Sequence, residues 1–115
     1  MSGTSIGEPY VVDNGNVRTP KETASHVVGD DCDVFVTDSG EIRVAYQDST
    51  AGKLRYAVGT TKSGGTIDWV VREIDQPGTA GFFPKHVRVD GNPRVVNWWR
   101  TGGNSIESNV RVVSP

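Results

Sequence analysis

Cysteine is nearly absent from this chain, and so are methionine, net charge and long apolar runs. A single cysteine, Cys32, in 115 residues excludes an intrachain disulfide framework; its plain reading is a small buried hydrophobe. A formal net charge of −2 and a pI near 5.6 leave no general basic field for phosphates or an anionic bilayer, so neither nucleic acid nor membrane is an expected partner. Met1–Ser5 has neither the basic nor the apolar part of a secretory signal, and no stretch approaches the length of a membrane span, so neither is expected and the compartment stays open. Helix signals are scarce as well. Pro20–His26, with Thr19 as a possible cap, is too short to stand alone and reads as a loop or single turn.

Repetition is what the chain has instead. Val36-Thr37-Asp38-Ser39-Gly40-Glu41-Ile42-Arg43-Val44-Ala45 and Val87-Arg88-Val89-Asp90-Gly91-Asn92-Pro93-Arg94-Val95-Val96 match at a constant step, Val36 with Val87, Gly40 with Gly91 and Arg43 with Arg94. Leu54-Arg55-Tyr56 then matches Val110-Arg111-Val112 after a longer turn in the second copy. A period near fifty residues marks a repeat architecture. Apolar and polar residues alternate in Ile42–Gln47, the period of a half-buried strand, and Asn, Asp, Gly and Pro clusters separate the strands. The expectation is all-β: one domain of two repeats, about 27–75 and 80–113, each a four-stranded antiparallel unit, with a further short strand at about 10–13.

Units of this kind resemble β-propeller blades. Ile42-Arg43-Val44-Ala45-Tyr46, then Leu54-Arg55-Tyr56-Ala57, then Ser63-Gly64-Gly65-Thr66-Ile67-Asp68-Trp69 resemble, in order, sialidase-like propeller repeats, with Gly65 where their hairpin carries Asp. In plan, with Gly52-Lys53-Leu54 at the second turn, the chain also resembles the two-blade lectins. That resemblance implies a ring completed by oligomerisation, most simply three chains giving six blades. It also implies carbohydrate ligands held by an Arg, matched at Arg43 and Arg94, a Glu and a stacking Trp. Arg55 and Arg111 stand near the Glu position, so fucose specificity does not transfer. A two-sheet β-sandwich of about eight strands is the alternative fold.

The candidate ligand-binding residues are Trp98, Arg94, Arg43, Asn97 and Arg100. Trp98 shares a strand face with Arg94, where an indole could stack on a pyranose while a guanidinium bonds its hydroxyls; equally, it could be packing between blades. Trp99 falls on the opposite face with Val95 and Asn97. No catalytic set emerges: His26 and His86 have no nucleophile in a known context, and both read as structural or surface residues. Asp30, Asp31 and Asp33 lack the spacing of a calcium loop and read as a solvated turn. No cofactor or metal is expected. Three functions follow: a non-catalytic module, with carbohydrate the expected ligand; a structural or protein-interaction ring; and, third, a glycosidase-like enzyme. The expected partners are copies of the chain itself and a glycan.

Overall fold

A computed structural model describes residues 10–16, 25–101 and 108–115. Among them the chain is all-β, with seven strands in order: β1 (Val28–Val36), β2 (Ile42–Asp48), β3 (Lys53–Thr61), β4 (Ile67–Ile74), β5 (Thr79–Val89), β6 (Asn92–Arg100) and β7 (Ser108–Val113). The first four form one antiparallel meander and the last three another. The second sheet therefore has three strands where four were expected, and β7 is left as an edge. Residues 10–16 contain no strand in this chain, so the strand expected at 10–13 is not formed within it. The expected Pro20–His26 turn lies largely outside the described residues.

Turn chemistry explains the one place where the repeat was misaligned. Asp90 and Gly91 both have positive φ, 51° and 78°, and form the two-residue turn that matches strand twist. The β1–β2 connection is longer, closed by the Thr37 amide donating to the Glu41 carbonyl and the Gly40 amide to the Thr37 carbonyl, each at 2.9 Å, and by Thr37 Oγ1 accepting from the Glu41 amide. As a result Phe35 pairs with Arg43, whereas Val87 pairs with Arg94. Val36 is thus not the structural counterpart of Val87; Phe35 is. The bulges agree with this shift, because the positive-φ pair Gly29 and Asp31 in β1 corresponds to Gly81 and Phe83 in β5.

Each strand of the first sheet offers one face to the second sheet and one away from it. Ala45, Leu54, Tyr56 and Ile74 pack with Val95 into a buried cluster, flanked by Val58 and Val113. Ile42, Val44, Tyr46, Ala57, Trp69 and Val71 lie on the other face, where Val12 from the N-terminal segment packs on them. The two sheets stack in the same sense. Arg43, Ala45 and Gln47 of β2 face the second sheet, while their counterparts Arg94, Val96 and Trp98 face away from the first. We call the plane between the sheets the seam.

Candidate functional site

Pleating places Asp33 and Phe35 of β1, Arg43 of β2 and Tyr56 of β3 on the seam side, opposite His86 and Arg88 of β5. His86 links the sheets. Its Nε2 lies 3.1 Å from the Tyr56 hydroxyl, its Nδ1 3.0 Å from Asp33 Oδ2, and the same carboxylate accepts from the His86 amide at 2.8 Å. The imidazole stacks on Phe35 with ring centroids 5.4 Å apart, and the Arg88 guanidinium lies over Phe35 at 5.2 Å. At the rim, Arg43 holds Glu41 through Nε and Nη2 at 2.9 and 2.8 Å, and both side chains keep part of their surface in solvent. A polar row thus runs from Asp33 through His86, Tyr56 and Arg43 to Glu41.

Burial and neighbouring charges set its electrostatics. Burial pushes the Tyr56 hydroxyl up, against the smaller opposing pull of the Arg43 hydrogen bond and charge, so the phenol stays protonated. Asp33 is pushed up by burial, but the bonds and charge from His86 and the charge of Lys85 outweigh this and hold it below the ordinary carboxylate range. A buried phenol kept neutral is a poor nucleophile.

The far end of the seam is closed by amides. Gln47 Nε2 donates to the Ala80 carbonyl at 2.9 Å, Gln76 Nε2 donates to Asn97 Oδ1 at 3.1 Å, and the Gly81 amide donates to the same oxygen at 2.8 Å. Trp99 Nε1 donates to the Pro77 carbonyl, and Arg111 lies over the Trp99 ring at 4.2 Å.

A second polar cluster lies on the open face of the first sheet. Arg55 bonds Asp13 at 2.7 Å and Asp48 at 2.6 Å, Tyr46 donates to Asp13 at 2.7 Å, and His26 Nδ1 is 2.5 Å from Asp48. Burial pushes Asp13 up, yet the bonds from Tyr46, the Gly15 amide and Arg55 hold it below the ordinary range; burial and Asp13 push Tyr46 well up. These groups satisfy one another and clamp residues 13–15 to β2 and β3.

The residues read from the sequence divide accordingly. Trp98, Arg94 and Arg100 share the outward face of β6, with Trp98 half-exposed. Asn97 does not join them: it is wholly buried on the seam side, and its amide bonds Gln76, Gly81 and Arg111. Arg43 lies at the seam, a sheet away from Trp98. Cys32 is exposed rather than buried. The three acidic residues diverge, Asp30 to Ser49, Asp31 towards the Phe83 amide and Asp33 to His86, and no group of metal-ligating side chains forms among the described residues. Glu41, Tyr56 and His86 were missed because nothing in their spacing marks them; only the β1 bulge, which turns Asp33 inward, sets them in one row. Compared with known proteins, the chain matches no family model, no curated protein and no solved structure.

Proposed function

We propose that the chain is a non-catalytic binding module built from propeller-type repeats, with carbohydrate as its ligand class and a ring completed by copies of itself, three chains giving six sheets. Same-sense stacking supports the propeller reading over a sandwich, since successive blades of a ring meet by unlike faces. The observation that carries the binding reading is the half-open Glu41–Arg43 pair at the rim of the seam, backed by Tyr56 and His86. A carboxylate and a guanidinium held side by side offer acceptors and donors to vicinal hydroxyls, beside Tyr56 and His86, which are already hydrogen-bonded. The neutral, buried Tyr56 supports binding without turnover.

A glycan array with the intact protein and Arg43→Ala tests this. The wild type should bind at least one glycan class, and Arg43→Ala should weaken it about tenfold or more, the loss expected for a hydrogen bond to a charged group. A panel of fluorogenic glycosides should stay dark. Absence of any glycan binding would remove the ligand class, and turnover would remove the non-catalytic half.

A further inference from the structure

The polar row along the seam leaves little choice about where each hydrogen sits. Asp33, held below the ordinary carboxylate range, is an acceptor only, and its Oδ2 lies 3.0 Å from His86 Nδ1, so Nδ1 carries a proton. In the neutral ring Nε2 is then bare. At 3.1 Å it accepts from the Tyr56 hydroxyl, whose oxygen in turn accepts from the Arg43 guanidinium. Tyrosine has one hydroxyl hydrogen, and here it is committed to the histidine.

That arrangement has a second state. A proton taken up at Nε2 turns this nitrogen from acceptor to donor, so the Tyr56 oxygen must receive from it and the hydroxyl hydrogen must turn to another acceptor. Tyr56 is 1% exposed, which shuts out bulk water. The charged groups around the row are Asp33 from β1, with Lys85 Nζ 3.8 Å from its Oδ1, Arg88 of β5 over Phe35, and Arg43, Glu41 and Arg72, which act on the Tyr56 hydroxyl. Only two of these are acceptors. Asp33 is engaged at the opposite end of the imidazole, which leaves Glu41, the carboxylate that Arg43 holds at the rim at 2.8 Å.

We propose that His86 is a proton switch for the rim: on taking up a proton it turns the Tyr56 hydroxyl towards Glu41, draws that carboxylate off Arg43 and withdraws the pair from a ligand. The site binds while His86 is neutral and lets go as the pH falls through the titration of the ring. Its consequence for binding rests on the Glu41–Arg43 pair being the ligand site; the coupling of His86 to Arg43 does not. Asp33, a quarter of whose side chain is exposed, connects the otherwise buried ring to solvent. The second repeat has no such relay, because Arg94 holds the position of Arg43 but Val112 stands where Tyr56 does, and Arg94 Nη1 donates to the Pro93 carbonyl at 3.0 Å.

An NMR titration of the unliganded protein between about pH 8 and pH 5, the range in which histidine ordinarily changes charge, tests the switch without any ligand. The Arg43 Nε–H resonance should move with the midpoint of the His86 ring carbons, while that of Arg94 stays in place. Tyr56→Phe keeps the buried ring and removes only the hydroxyl; His86 should still titrate in it and Arg43 should cease to follow. A His86 ring that does not titrate in this range, an Arg43 resonance that stays still while His86 titrates, or an Arg43 response that survives unchanged in Tyr56→Phe would overturn the proposal. Circular dichroism checks the variant's fold, and the wild-type contrast between Arg43 and Arg94 decides on its own if the variant does not fold. The glycan array, read at about pH 7.5 and about pH 5.5, should show binding weaker by about tenfold at the lower pH in the wild type and little changed in Tyr56→Phe. No glycan binding at either pH strikes the ligand reading alone, because the titration decides the switch.

Discussion

The two sheets share a frame and differ in what they place on it. At the seam the contact is laced with hydrogen bonds: Tyr56 to His86, Gln47 to Ala80, Gln76 to Asn97. On the outward face of the second sheet the counterparts of Tyr56 and Gln47 are Val112 and Trp98, which make no such bonds across a surface. The faces that receive them differ in the same way, polar clamps at Asn97 and Trp99 against the Asp13–Arg55–Asp48 cluster on the first sheet. One fold thus carries a polar, self-satisfied contact inside and half-exposed apolar side chains, Trp98 and Val112, on the outward face of its second sheet. A polar seam fixes register within one chain, because a slipped sheet would strand buried donors and acceptors; an apolar end favours association by removing area from water.

The largest break in this comparison is at Arg55 and its counterpart Arg111. Arg55→Met leaves the buried carboxylates of Asp13 and Asp48 facing each other, and should destabilise the chain by about 3–5 kcal/mol in chemical denaturation. Arg111→Ala removes only a cation over Trp99 and should cost about 0.5–2 kcal/mol. The Arg55 cluster also sets an acid limit. Asp13 has its pKa lowered on folding, so its stabilisation is complete above the ordinary value of 3.8 and is lost as pH falls from there through the lower folded-state value; the melting temperature should drop in that window, and less so in Asp13→Asn.

Next in size is the apolar pair. Leu54→Ala empties a fully buried site and should destabilise by about 2–5 kcal/mol. Val110→Ala, at a half-exposed site, should change the unfolding free energy by less than about 0.5 kcal/mol. A Val110 effect as large as that of Leu54 would mean that the outward face is already covered within one chain.

The smallest contrast is between the two bulge glycines. Gly81→Ala and Gly29→Ala each force a side chain into a left-handed backbone, roughly 1–2 kcal/mol of strain. Gly81→Ala must in addition push β3 away, so it should be the more destabilising of the two.

The strands and the repeat were legible in the sequence because alternation and turn residues act locally: Ile42–Gln47 is a strand wherever it packs, and Asp90-Gly91 turns whatever surrounds it. The faces were legible too, since Trp98 and Trp99 had to part company on a pleated strand. Long-range pairing was not. The longer β1–β2 turn, against the two-residue Asp90-Gly91 turn, displaces Phe35 against Val36 by one position, and that displacement decides which side chain meets Arg43. Asn97 was placed with Val95 and Trp99 by the pleat and yet counted as a ligand-binding candidate; its amide is instead taken up by Gln76 and Gly81. Arg55 was read only as standing near a Glu position, and the return of the N-terminal segment, which sets Asp13 against it, makes it a clamp. Buried polar partners far apart in sequence leave no local period to read.

The native mass of the unmodified protein tests the account most directly. Light scattering at micromolar concentration should return a multiple of the 12.4 kDa chain, with three chains the simplest ring, stable on dilution until the ring opens. A particle of one chain mass at every concentration at which the protein stays folded would contradict it, for the outward faces of the two sheets would then be open surfaces and the repeat no more than a two-sheet domain.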